Sequence, residues 1–337
     1  MRTLEIKGGS GSSAIRVGER LGSLTKYIVP ERTVIITDTN VRRYYEEMFP
    51  RCSIITVGIG EKIKTLETVG YILEELIGHG ADRSVFLLGI GGGIVCDITG
   101  FAASIYLRGV GFGFVASTLL AQVDAGVGGK NGVNIKGYKN MAGVFNQPEF
   151  VICDPELLKT LPKKEVQCGF AEIVKHAAIA DKAMFEFLEE SYRGALALDA
   201  EIIEKLVYDS VRIKASVVNK DEKEKGERRK LNFGHTLGHA IEKTAGVPHG
   251  EAVSAGMVAA SRLSVRKGFL SESDAKRIEN LLANLGLPTE IPADKQKLTD
   301  ALGKDKKREG DIVHFVLLNG IGNAVVENIS IRELLRG

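Results

Sequence analysis

In the first half of the chain, apolar and polar positions alternate between two periods. Thr33 to Ile36 form a β-branched run ending at Thr37-Asp38, and Ser53 to Val57 form another, so both read as strands. Val41 to Met48, between them, reads as a short helix. Leu66, Val69, Ile72, Leu73, Leu76 and Ile77 recur at helical spacing, which predicts an amphipathic helix over Thr65 to Gly78 capped by glycine. Ser84 to Leu88 is an apolar strand running into Gly89-Ile-Gly-Gly-Gly93. Ile94 to Leu107 then predicts helix, and Gly111 to Val115 and Phe150 to Cys153 predict two more strands. Strand–helix alternation of this kind builds a mostly parallel sheet with helices on both faces.

After about Pro162 the pattern changes. Glu165 to Glu190, Asp199 to Val218, His235 to Thr244, Glu251 to Lys267 and Ser273 to Leu285 all favour helix, and only Ile312 to Leu318 and Ala324 to Val326 look like strands. The sequence therefore predicts an α/β domain over residues 1–162 and a mainly α-helical domain over residues 163–337. At 337 residues the chain is long enough for both. A formal net charge of +2 gives no reason to expect a nucleic-acid or membrane partner. Cys52, Cys96, Cys153 and Cys168 form no Cys-x-x-Cys pair and resemble neither a disulfide framework nor a thiolate zinc site, so they read as small core residues. The N-terminal segment is charged where a signal peptide is apolar, so a cytoplasmic protein is expected.

Three clusters carry candidate chemistry. Gly89 to Gly93 lies between a predicted strand and a predicted helix, where bare backbone and a helix N-terminus can approach a pyrophosphate; it fits a tight strand-to-helix turn equally well. Asp97 follows one helical turn on. Asp38, at the end of an earlier strand, could accept from a ribose or adenine, or cap a helix. In the second cluster, His235 and His239 are four apart on one helical face and His249 follows closely. The pair could chelate a metal with a third ligand, but Thr236 stands where a metalloprotease keeps its glutamate. In the third, Lys130 sits among glycines near Asp124, as a phosphate grip or a mobile surface loop. Glu172 and Lys175, three apart, read as a solvated ion pair. Arg228, in a mixed-charge run, could reach into a site and hold a carboxylate.

Taken together, the ordered segments Gly91 to Asp97, Leu119 to Asp124, Gly128 to Lys130, Lys139-Asn140, Ala171 to Lys175, Leu231 to His239 and His249 to Glu251 resemble the 3-dehydroquinate synthases of the sugar-phosphate cyclase family. The resemblance implies a Rossmann-like NAD-binding domain, a helical metal-binding domain and a homodimer. It places the zinc ligands, which could also take Co2+, on Glu172, His235 and His249, and makes His239 a catalytic or substrate-contacting residue. NAD contacts would fall on Asp38, Glu61, Lys64, Gly92, Gly93, Asp97, Ser117, Thr118, Lys139 and Thr160. Substrate contacts would fall on Arg108, Asn140, Lys175, Lys214, Arg228, Asn232 and Lys306, with Asp124 and Lys130 counted for both. The implied substrate is a phosphorylated sugar acid, 3-deoxy-D-arabino-heptulosonate 7-phosphate. It would be converted to 3-dehydroquinate and phosphate by transient oxidation, elimination, re-reduction and aldol closure.

Ala116, Gly126 and Asn131 depart from the family's usual proline, serine and threonine, which leaves room for a variant substrate. The rivals are a paralogous cyclase of the amino-dehydroquinate or valiolone type, a metal-dependent polyol dehydrogenase, and a non-catalytic nucleotide binder. The presence of Lys214, Arg228, Asn232 and Lys306 favours a substrate bearing a carboxylate.

Overall fold

The computed structural model describes residues 1–291, 295–302, 308–309 and 312–334. They fall into two compact units, Met1–Pro162 with Lys214–Glu222, and Lys163–Ile213 with Lys223–Gly337. The first is built on nine strands: β1 (Arg2–Gly8), β2 (Gly11–Val17), β3 (Thr33–Asp38), β4 (Ser53–Val57), β5 (Phe86–Gly91), β6 (Gly111–Ala116), β7 (Lys130–Ile135), β8 (Tyr138–Phe145) and β9 (Phe150–Cys153). Seven of them form one sheet in the order β1-β2-β9-β6-β5-β3-β4, parallel except for the antiparallel β1–β2 hairpin. β3 and β5 are apolar and buried on both faces because helices cover them. These helices include α1 (Thr39–Tyr45), α2 (Leu66–Gly78) and α3 (Gly93–Ile105).

The hairpins were not apparent from periodicity. β1 and β2 are joined through Gly8 to Gly11, and the outer edge of β1 is covered by Asn219. The Asn219 side chain accepts from the Lys7 amide at 2.9 Å and donates to the Glu5 carbonyl at 3.5 Å. β7 and β8 pair antiparallel across Lys136 and Gly137, both at positive φ (49° and 78°), as a two-residue hairpin turn of matching twist requires. Lys130 thus opens a strand rather than lying in a mobile loop. The glycine that caps α2 is Gly80, at φ 66°, two residues beyond the expected Gly78; its amide bonds the Ile77 carbonyl and the Ala81 amide bonds that of Leu76.

The second unit contains α4 (Lys163–Ala180), α5 (Lys182–Leu196), α7 (His235–Ala245), α8 (His249–Arg266), α9 (Glu272–Asn284), α10 (Lys295–Leu302) and α11 (Ile331–Leu334). It also holds a small antiparallel sheet of β10 (Arg308–Glu309), β11 (Ile312–Leu318) and β12 (Ala324–Ser330). α6 (Ala200–Lys220) contributes residues to both units. The continuous helix expected over Glu165 to Glu190 is broken at Asp181, whose carboxylate caps α5 by accepting from the Met184 amide at 3.0 Å. Among the described residues, no helix is long and apolar enough to cross a membrane.

Strand β5 meets α3 at close quarters: a Cβ on Gly91 would lie 2.5 Å from the Val95 Cβ. Gly91→Ala is expected to lower unfolding free energy by about 1–3 kcal/mol through overpacking. Urea denaturation should show a lower midpoint at an unchanged slope.

Candidate active site

In the first unit, the nucleotide candidates gather at the carboxyl ends of adjacent parallel strands. Asp38 ends β3; Glu61 and Lys64 follow β4; Gly92, Gly93 and Asp97 follow β5; Ser117 and Thr118 follow β6. From β3 the chain runs to β4 on one side and to β5 on the other, so the strand order reverses there, as in sheets that bind nucleotides. Asp38 caps α1, its Oδ1 accepting from the amides of Asn40 (2.8 Å) and Val41 (3.0 Å), which leaves Oδ2 for a ligand hydroxyl. Gly92 is the N-cap of α3 and supplies no side-chain cap, so the first-turn amides of that helix are available to a phosphate. A Cβ on Gly92 would lie 3.0 Å from Thr118 Cγ2, and one on Gly93 would lie 2.6 Å from the Ala125 Cβ. The bare backbone and the uncapped helix together suit a pyrophosphate. Thr160, beyond β9, bonds the Tyr45 hydroxyl at 2.7 Å.

Polar side chains link this crevice to the β7–β8 hairpin. The buried Lys64 ammonium forms an ion pair with Asp97 and donates to Asn140 Oδ1 at 2.6 Å. Burial raises the Asp97 carboxyl, and Lys64 opposes the shift. Glu61 accepts from Asn134 Nδ2 at 2.7 Å and lies 3.7 Å from Lys139. Asp124 sits in a π-helical turn over Ala121–Ala125, where Lys214 donates to its carbonyl at 2.6 Å and pairs with its carboxylate. Two of the departures have structural reasons. A Cβ on Gly126 would come within 2.9 Å of the Ala121 carbonyl oxygen of that turn. Asn131 donates to the carbonyls of Gly129 (3.2 Å) and Asn146 (2.8 Å), fixing the turn before Lys130. Nothing in the structure accounts for Ala116.

The second unit assembles a different centre. Glu172 lies on α4, His235 opens α7 and His249 opens α8. Glycines bring these three helices into backbone contact. A Cβ on Gly256 of α8 would lie 2.1 Å from the Gly234 carbonyl oxygen, one on Gly238 of α7 would lie 3.1 Å from the Val253 Cα, and one on Gly250 would lie 2.4 Å from the Cys168 Cα of α4. Ligand atoms of Glu172, His235 and His249 consequently lie within 4.8 Å of one another. Glu172 Oε1 is 3.4 Å from each of the two Nε2 atoms. A tetrahedron with bonds of ~2.0–2.1 Å has edges of about 3.3–3.4 Å, so the separations fit a zinc-sized ion. The Glu172 carboxylate is 0% exposed; besides its ion pair with Lys175 it turns Oε1 toward both imidazole nitrogens, an arrangement a metal would satisfy.

The expected solvated pair of Glu172 and Lys175 is instead buried, with Lys175 only 1% exposed, because both project from α4 into the unit's interior. Burial disfavours the Glu172 anion, but Lys175 and His235 hold its carboxyl well below the usual range. Burial lowers His235 despite Glu172. Partial burial disfavours the His249 cation, yet bonds to Glu172 and Glu242 outweigh that and raise it to about 9. His239 is exposed, its ring centroid 5.3 Å from that of His235, and groups with Glu242 and His249 rather than with Glu172.

Arg228 is 2% exposed, turned inward from its mixed-charge run as a residue reaching into a site would be. Asn232 donates to Glu224 Oε1 at 2.5 Å. Sequence reasoning passed over Glu224 and Glu242; the signal for Glu242 was its place one turn past His239. Arg108 is exposed three residues beyond the end of α3, with φ 71°. Lys306 lies outside the described residues.

The family model described as 3-dehydroquinate synthase N-terminal matches residues 54–168, and the one described as 3-dehydroquinate synthase C-terminal matches residues 169–308. A 3-dehydroquinate synthase of Pelobacter propionicus is 40% identical, over 99% of this chain and 98% of its own. A solved 2-deoxy-scyllo-inosose synthase, complexed with carbaglucose-6-phosphate, NAD+ and Co2+, superposes with a TM-score of 0.89 at 28% identity, covering 99% of this chain and 98% of that one. ValA, a 2-epi-5-epi-valiolone synthase from Streptomyces hygroscopicus with NAD+ and Zn2+ bound, gives the same score and identity, covering 99% and 97%.

Two outcomes are expected at the histidine centre. Gly256→Ala should separate α7 from α8 and weaken zinc binding at least about tenfold, read by chelator competition. With His249 protonated up to about pH 9 in the metal-free protein, zinc must displace that proton. Calorimetry in buffers of different ionisation enthalpy should find about one proton released per zinc at neutral pH. Apparent affinity should rise about tenfold per pH unit and level off near pH 9.

Proposed function

The chain belongs to the 3-dehydroquinate synthase family, and on that premise we propose that its two units carry out the family reaction on 3-deoxy-D-arabino-heptulosonate 7-phosphate, yielding 3-dehydroquinate and phosphate. The observation that carries this reading is the Glu172–His235–His249 set, with donor separations that match the edge of a zinc tetrahedron. When bound, NAD takes and returns one hydride while a divalent ion polarises the oxygen it holds.

The chain's own residues bind, orient and move protons. In the first unit, the strand-end residues Asp38, Glu61, Lys64, Gly92, Gly93, Asp97, Ser117, Thr118, Lys139 and Thr160 are assigned to the dinucleotide. Lys130 and Asn140 are assigned to the substrate phosphate, and Lys214, positioned by Asp124, to its hydroxyls. In the second unit, Glu172, His235 and His249 hold the ion. Lys175 keeps Glu172 ionised and offers its ammonium to the phosphate. Arg228, planar and buried, suits two parallel bonds to the substrate carboxylate, beside Asn232. Arg108 and Lys306 are assigned to the substrate as well. His239, an exposed imidazole beside the ligand set, is assigned proton exchange with substrate oxygen. A homodimer in the cytoplasm is the setting assigned to it.

Purified protein supplied with the heptulosonate phosphate, NAD and zinc should release one phosphate per carbocycle formed, with no net NADH. Sustained NADH formation from a polyol would instead make it a dehydrogenase, and turnover of only an amino or non-carboxylated analogue would make it a paralogous cyclase. Glu172→Ala should lose bound zinc and about 100-fold or more of the rate. Unchanged zinc content would remove Glu172 from the ligand set.

A further inference from the structure

The two histidines of the centre are anchored differently. Each directs Nε2 at Glu172 and turns Nδ1 away from it. His235 Nδ1 lies 3.2 Å from the backbone carbonyl of Phe233. His249 Nδ1 lies 3.2 Å from Oε2 of Glu242, a side chain on α7 whose backbone carbonyl also accepts from the helix-ending Gly246. The turn from Gly246 to Pro248 then brings His249 back beside it as the first residue of α8. The His249 ring therefore spans two carboxylates. His239, Glu242 and His249 also group closely enough to suggest a separate cation site, but that group shares His249 with the first. It is better accounted for as the outer support of a single centre.

We propose that Glu242 is a positioning residue of the metal centre. Its carboxylate accepts the Nδ1 proton of His249, which fixes the tautomer and holds Nε2 toward the ion. The inference rests on the metal-centre reading given above. A carboxylate in this place restricts ring rotation, selects the nitrogen that carries the proton and increases the donor strength of the other; losing such a partner costs about 10–100-fold in metal affinity. Only this anchor belongs to a side chain, so only it can be removed without altering the backbone.

Zinc affinity would be measured by chelator competition for the wild type, Glu242→Ala, Glu242→Gln and His249→Ala. Nitrogen NMR of histidine-labelled, metal-free protein above pH 9, where the His249 ring is neutral, would report its tautomer, and thermal melts would report folding. Glu242→Ala should bind zinc about 10–100-fold more weakly and lose the fixed Nδ1–H tautomer. Glu242→Gln, which keeps an acceptor oxygen without its charge, should fall between alanine and wild type; if the alanine variant does not fold, this intermediate value decides. Affinity within twofold of wild type in the folded Glu242 variants, or an unchanged His249 tautomer, overturns the proposal. If His249→Ala loses zinc while the Glu242 variants keep it, the positioning role alone fails. If His249→Ala also keeps zinc, the metal-centre reading fails with it.

Discussion

The candidate metal centre depends on three helices meeting at distances only glycine permits. Gly234, Gly238 and Gly256 let α7 and α8 touch backbone to backbone, and Gly250 does the same between α8 and α4. Ordinary side chains hold helix axes about 8–10 Å apart. At the closer approach found here, donors carried on three separate helices come within bonding reach of one ion. The glycines forgo helix propensity, roughly 1 kcal/mol each against alanine. The return is a set of donors already at bonding separation, so a metal has little to reorganise on entry.

Within that frame, charge is distributed with care. Glu172 is an anion without solvent, and Lys175, one helical turn away, is a buried cation that makes the anion tolerable. Removing either partner would strand the other in a medium of low polarity, which is far costlier than losing a surface pair. The second carboxylate, Glu242, stands behind His249. Two anions facing a doubly charged cation would leave the proposed centre close to neutral, apart from the ammonium of Lys175.

Much of this was legible in the sequence. Strands β3 and β4 announced themselves as β-branched runs and β5 as an apolar one, α2 as an amphipathic stripe, and the helices of the second unit as stretches favouring helix. The hairpins were not legible, since β7 and β8 carry glycine, lysine and asparagine in place of an apolar alternation, and the decisive signal lay in two turn residues. At the site, helical spacing brought His235 and His239 together correctly as neighbours. It could not show that Glu172, more than sixty residues earlier, completes the set, because convergence of separate helices leaves no periodic mark; resemblance supplied that residue. Glu172 and Lys175 illustrate the same limit from the other side: a spacing of three places two charges on one face without saying whether that face meets water.

Asn219 draws attention to a different hazard of such sheets. Strand β1 is an outermost strand, and its free amides and carbonyls would template the addition of another molecule's strand. By accepting from Lys7 and donating to Glu5, the Asn219 carboxamide imitates a neighbouring peptide group and occupies the sticky margin. One side chain thereby closes part of an edge on which open-ended strand addition could otherwise begin.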